Sequence, residues 1–310
     1  MERDYVDRIN RALDYILEDP ARPLNLETIA RVACFSPYHF HRIFRAATGE
    51  TLHQFIKRIR LERALYLMAH GSPGSLTELA LRCGFASSSD FSRSFRQRYG
   101  VPPSAFDLDA FRRERRREMQ ELLTPDADQR HLLRELPPGE NPDGFNVTVR
   151  ELPARVVAYI RVHRPYEGNG VVGAAARLVE WAEERDLADG QWLGYQWDDP
   201  TIVALDRCRY DVGLEVADRS AEGVENVVME GEVGRLELPP MHVAEIEVRG
   251  AIDLEQRAID YLFGTWLPKS IWEPAPYPAF EAWIGRPFAH GHEHFELWVQ
   301  LPVIKAGRRT

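Results

Sequence analysis

The chain has 310 residues, 44% of them hydrophobic and 28% charged, which excludes a disordered or fibrous protein and suffices for two cores. Its three cysteines, Cys34, Cys83 and Cys208, are too scattered for a disulfide framework or a zinc knuckle and read as small core residues. The charged opening MERDYVDRIN is no secretion signal and no apolar run reaches the roughly 20 residues that span a bilayer, so a cytoplasmic chain without a membrane partner is expected.

The net charge of -9 is unevenly spread. Residues 1–117 hold 20 Lys+Arg against 14 Asp+Glu, whereas the remainder holds 19 against 34. A basic first part suits a phosphate backbone, and an acidic second part suits cationic small molecules or simple solubility.

The first hundred residues contain a repeat. LETIARVACFS, from Leu26, overlays LTELALRCGFAS, from Leu76, and pairs Ile29 with Leu79, Ala33 with Cys83 and Phe35 with Phe85. After a one-residue insertion the match resumes with Phe40 on Phe91, Arg42 on Arg93, Arg45 on Arg96 and Gly49 on Gly100. Each copy reads as a short helix, a tight turn and a second helix, which is a helix-turn-helix. Ser36 with Pro37, and Ser87 in the second copy, mark helix starts, while Gly49 and Gly100 mark stops.

In the first copy Phe40, Ile43, Phe44 and Ala47 form the expected buried stripe. Tyr38, His41, Arg42 and Arg45 recur on the other side and suit base edges and phosphates in a major groove, Arg45 equally suiting an acidic neighbour. The second copy presents Ser88, Ser89, Ser92, Arg93 and Arg96, with Asp90 beside them, and of these only the arginines are strong readers. Between the copies, Thr51 to His70 reads as one long helix of roughly 30 Å, close to the roughly 34 Å of a DNA turn. Lys57, Arg58 and Arg60 on it are expected against the intervening backbone.

Ending in GFASSSDFSRSFRQRYGVPPSAF, this segment resembles the C-terminal signature of the AraC/XylS family. Where the family often has arginine after the final aromatic, this chain has Asp107. The resemblance implies a transcription regulator with double-stranded promoter DNA and RNA polymerase as partners. It further implies that Tyr38, His41 and Arg42, and Arg93 in the second copy, occupy base-reading positions.

FRRERRREMQELL then predicts a charged surface helix, and Pro, Gly and Asp content marks a boundary before Phe145. Beyond it a second duplication lays ELPARVVAYIRV (151–162) on ELPPMHVAEIEV (237–248), with Trp181 matching Trp266 and Trp197 matching Trp283. The expected architecture is an all-α tandem helix-turn-helix domain (1–110), a charged helix and linker (111–144), and an α+β domain of two strand-helix-strand-strand repeats (145–305). A groove along the pseudo-symmetry axis of such a domain is lined in this reading by Tyr159, Trp192, Tyr195, Trp197, Trp266 and Trp283, with the carboxylate of Glu281. Aromatic walls with one carboxylate favour a bulky cation, although each Trp also fits ordinary core packing and Glu281 also fits an exposed or ion-paired residue.

This half resembles the GyrI-like effector-binding domain through its LPP turn, WLP helix and FE strand, and in that family the glutamate matching Glu281 is associated with cationic ligands. The order of the two parts is similar to the Rob type of AraC-family regulator. His290, His292 and His294 alternate in AHGHEHF but lack a carboxylate or cysteine partner in the right setting, so neither a metal nor a cofactor is expected. No Ser/His/Asp constellation or phosphate loop is present, which points away from an enzyme. Hydrolase activity, or a protein partner in place of the small effector, are the alternatives for the second half.

Overall fold

Helix starts in the first hundred residues are set by side chains. Asn25, Ser36, Ser75 and Ser87 each accept from a backbone N–H three residues ahead, at Thr28, His39, Glu78 and Asp90, and so satisfy groups that the first turn leaves open. The structure is a computed structural model that describes residues 3–70, 74–123, 136–216, 229, 231–275, 277–291 and 293–305. It divides into two units, Met1–Arg113 and Glu114–Thr310.

In the first unit, α1 (Arg3–Glu18) precedes two helix pairs, α2 (Leu26–Val32) with α3 (Pro37–Thr48), and α5 (Leu76–Arg82) with α6 (Ser88–Tyr99). The long α4 (Leu52–His70) joins them, and α7 (Leu108–Leu123) follows. Gly49 and Gly100, at φ 74° and 82°, close α3 and α6 in the left-handed conformation. Phe40 and Phe44 are fully buried, and the Phe44 ring meets Phe55 of α4 edge-on at 5.3 Å. Ala47 is exposed, so the buried stripe of α3 ends at Phe44, with Ile43 half-buried.

The turn inside each pair needs one left-handed residue, Cys34 in the first (φ 54°) and Gly84 in the second (φ 83°). At Gly84 a Cβ would also meet the Ala21 Cα at 2.6 Å. We therefore expect Gly84→Ala to lower the stability of this unit by about 2 kcal/mol or more, from a disfavoured φ together with an unyielding backbone contact. Denaturant unfolding of wild type and variant measures it, and an unchanged midpoint would refute it.

Among its described residues the second unit is a nine-stranded antiparallel sheet with helices on one face. Its elements are β1 (Thr148–Leu152), β2 (Arg155–His163), α8 (Gly170–Glu183), β3 (Trp192–Gln196), β4 (Arg209–Val216), β5 (Gly234–Leu238), β6 (Met241–Gly250), α9 (Ile252–Tyr261), β7 (Trp272–Pro274), β8 (Phe280–Trp283) and β9 (Phe295–Lys305). Each half thus carries a leading strand that the sequence reading did not resolve. The leading strands change places, for β1 pairs with β6 and β5 pairs with β2.

The strand order β1-β6-β9-β8-β3-β4-β2-β5 reads the same from either end once corresponding strands are exchanged, with β7 added beside β9. At the centre β3 meets β8, with Gly194 opposite Glu281. Helix α8 covers Ala158, Ile160, Val212 and Leu214, and α9 covers Ala244, Ile246, Leu297 and Val299, all on the same face. Val157, Leu193, Tyr195, Val243, Phe280 and Ala282 form a separate core on the other face, as a period of two requires. The last turns of α7 join this unit through Arg116, buried and doubly bonded to Asp260 of α9 at 2.6 and 3.1 Å. Among the described residues no helix is long and apolar enough to cross a membrane.

Candidate functional site

Two regions gather the residues singled out by sequence. On α3, Tyr38 is 68% exposed, His41, Arg42 and Arg45 are exposed beside it, and the Arg42 guanidinium lies 5.8 Å from the Tyr38 ring centre. His39, which the sequence reading passed over, is exposed too, its ring 5.9 Å from that of Tyr38. On α6, Ser89, Arg93 and Arg96 are exposed and Ser88 is half-buried. Arg93 and Arg96 border a hollow of about 550 Å³ with Ser92, Gln97 and Pro102. Asp90, beside this set in the sequence, holds the Arg93 guanidinium at 3.0 Å.

The basic residues of α4 separate. Arg58 is buried, bonded to Glu50 and Glu62 at 2.9 Å each, which corrects its expected place against a DNA backbone. A guanidinium taken into the interior is held there by the two carboxylates that compensate it. Arg60 is likewise engaged, bonding the carbonyls of Pro20 and Arg22. Lys57 is half-buried, with no hydrogen bond or ion pair among the described residues.

In the second unit strand register decides which residues meet. Gly194 of β3 stands opposite Glu281 of β8 and opposite Val212 of β4, and Tyr210 stands opposite Gln196, so these side chains share the helix-covered face. Tyr210 Oη donates to Glu281 Oε2 at 2.5 Å. Gln196 Nε2 donates to Glu281 Oε1 and to Glu255 Oε1, each at 3.0 Å, so one amide ties the strand carboxyl to the helix carboxyl of α9. Glu281 is 5% exposed and Glu255 1%. Among the described residues no Lys, Arg or His makes an ion pair with either.

Burial pushes both carboxyls above the usual range, because the charged form loses its water. The charge of Glu281 pushes Glu255 higher still, while the Tyr210 hydroxyl and the Gln196 amide pull Glu281 back by bonding its ionised form. Burial, and then the neighbouring Glu281, raise the Tyr210 hydroxyl well above its usual value, so it stays a donor. The close fit requires glycine at 194, where a Cβ would strike the Tyr210 hydroxyl and lie 2.6 Å from Glu281 Oε2. Two residues beyond Gly194 and Glu281 in their strands, Trp192 and Trp283 border a hollow of about 390 Å³ with Gln191 and Arg286.

The other aromatic residues expected beside Glu281 lie elsewhere. Tyr159 and Tyr195 point to the opposite face, one step out of phase in their strands, and Trp197 bonds Asp211 there at 2.6 Å. Tyr159 and Trp197 do flank a cation, namely the buried Arg161, which pairs with Asp211 at 2.7 and 2.8 Å and lies 5.0 and 5.5 Å from their rings. Trp266 packs with the α9 core that includes Leu262 and Leu267. His290 and His294 each approach Glu296 Oε1 at 3.6 Å, but Arg249 already bonds that carboxylate at 2.5 Å, and His292 lies outside the described residues. Among the described residues no group of three His, Cys, Asp or Glu is arranged to hold a metal.

Fold and site together define a tandem helix-turn-helix protein joined to a sheet domain with a buried acidic centre. A model described as GyrI-like small molecule binding domain matches residues 145–303, and one described as helix-turn-helix domain matches residues 29–109. The chain belongs to the GyrI-like family, with an AraC-type helix-turn-helix domain preceding the GyrI-like one. It is 33% identical over 105 residues to the probable transcriptional regulator LumQ of Photobacterium leiognathi, covering 33% of this chain and 42% of LumQ. Over 96 residues it is 33% identical to the transcriptional activator RhaS of Enterobacter sp. strain 638, covering 31% and 34%. The chain thus spans less than half the length of these relatives.

Among solved structures, the DNA-binding domain of AdpA, in complex with a target DNA, is 31% identical and covers 35% of this chain and 96% of that one, with a TM-score of 0.32. The C-terminal domain of EcmrR is 13% identical and covers 52% and 98%, with a TM-score of 0.39.

We expect Gly194→Ala to break the Tyr210–Glu281 bond and to destabilise the second unit by about 1–3 kcal/mol through overpacking. Urea unfolding followed by tryptophan fluorescence tests this, and a variant as stable as wild type would contradict the close approach.

Proposed function

We propose that the protein is a sequence-specific DNA-binding transcription regulator of the AraC type, whose GyrI-like domain takes up a small aromatic cation on Glu281. The observation that carries the ligand class is a pair of carboxyls, both at least nine-tenths buried, that meet no cation among the described residues. Such a centre favours a ligand that brings positive charge, and Trp192 and Trp283 next to it offer ring faces. For DNA the support is the exposed Tyr38, His41, Arg42 and Arg45 of α3, with Ser89, Arg93 and Arg96 on α6 as a second, less discriminating reader. Lys57 is the remaining candidate on α4 for a phosphate. A regulator of this kind works through RNA polymerase, which we take as its protein partner.

Selection of bound duplexes from random DNA, with and without N-methylquinolinium, tests both halves. One enriched sequence with two half-elements about one helical turn apart is expected, and recovery of random sequence would overturn the reading. Arg42→Ala should weaken the selected complex about 5- to 150-fold and relax preference at one base pair, since a bidentate guanine contact discriminates by about 1–3 kcal/mol. Lys57→Ala should weaken all duplexes alike and lower the salt slope by about one. Glu281→Gln should reduce cation affinity about tenfold or more, as titrated by tryptophan fluorescence, corresponding to about 1.4 kcal/mol.

A further inference from the structure

Glu255 adds something that a single acidic residue at Glu281 does not provide. It reaches the site from α9, the helix packed on β6 and β9, whereas Glu281 belongs to the central strand β8. Both lie 3.0 Å from the same Gln196 amide nitrogen, which has two hydrogens and gives one to each. The other groups facing the pair are Tyr210 from β4, Trp283 from the same strand as Glu281, and the Tyr166 phenol from the segment after β2, close enough to feel the charge of Glu255. None of these is a cation.

Two ionised carboxylates held this close and this deep would repel each other without compensation. The arrangement relieves this when one proton stays with the pair, as in other carboxyl dyads that cannot both ionise. Hydrogen bonding assigns its place. Glu281 accepts from Tyr210, Gln196 and Trp283, which stabilises its ionised form, while Glu255, whose donor among the described residues is Gln196, keeps the proton, directing it at Glu281.

We propose that Glu255 and Glu281 hold one proton between them and that the cationic ligand displaces it, making ligand binding and proton release a single event. This rests on the assignment of Glu281 to a cationic effector. The charges balance. The empty pair has one proton and one negative charge; with a monovalent cation between two carboxylates the proton has passed to solvent and the site again carries one negative charge. The site therefore admits a cation without a change in its buried net charge, and Glu255 determines how strongly occupancy depends on pH.

Titration calorimetry of the full chain with N-methylquinolinium, in phosphate and in Tris at the same pH, counts the protons exchanged. One proton released per cation at pH 7 is expected, with affinity rising about tenfold per pH unit from pH 6 to 7 and levelling off above the point where the empty pair loses its proton. E255Q should bind more weakly, with no proton released and no such slope. Binding by wild type without proton release overturns the inference and leaves the cation site standing, as does an unchanged proton count in E255Q. Absence of any cation binding by wild type overturns both readings. The wild-type measurement is decisive even if E255Q does not fold.

Discussion

The antiparallel pairing of β3 with β8, Gly194 opposite Glu281, joins the two halves of the sheet and fixes where its buried charge lies. A side chain at 194 would keep Tyr210 from Glu281, and a shift of one residue in register would turn Glu281 to the opposite face, toward Leu193 and Tyr195 and away from α9. The local geometry is thus set by backbone pairing, and its chemistry follows. Carboxyls that the strand and α9 place together cannot both ionise without a partner, and the hydroxyl and amide that could solvate them are already committed to them.

The same sheet manages buried charge on its two faces in contrasting ways. On one, Arg161 and Asp211 compensate each other, with Tyr159 and Trp197 around the guanidinium. On the other, Glu255 and Glu281 have polar donors but no ion-pair partner among the described residues. A buried ion pair tends to fix one arrangement, whereas an uncompensated acidic pair leaves room for a change of occupant. The contrast separates scaffold from candidate site more sharply than aromatic content does.

Much of this was legible in the sequence, for identifiable reasons. Capping serines, closing glycines and apolar residues at helical spacing specify local structure, and they placed α3, α4 and α6 within a residue or two. Glu281 stood out because it interrupts an apolar strand. What escaped depended on contacts distant in the chain. Glu50 and Glu62 draw in Arg58, a fate its position on a basic stretch of α4 does not reveal. Parity separates Tyr195 and Tyr159 from Glu281, but applying it requires the register of β2, β3, β4 and β8. Glu255 sits in an ordinary-looking amphipathic helix, and nothing local distinguishes it from a solvent-facing glutamate.

The exchange of leading strands has a consequence for how the second unit exists at all. Because β1 lies against β6 and β5 against β2, neither half contains all the neighbours of its own strands. Cutting the chain between Val216 and Gly234 would leave a first half with β1 parted from β6, its one neighbour among the described residues, and β2 bare along one edge, and a second half in the mirror-image predicament. Such halves cannot be lifted out as modules or drift apart into separate domains. Each completes the other's sheet, and the acidic centre on the seam exists only while they remain interlocked.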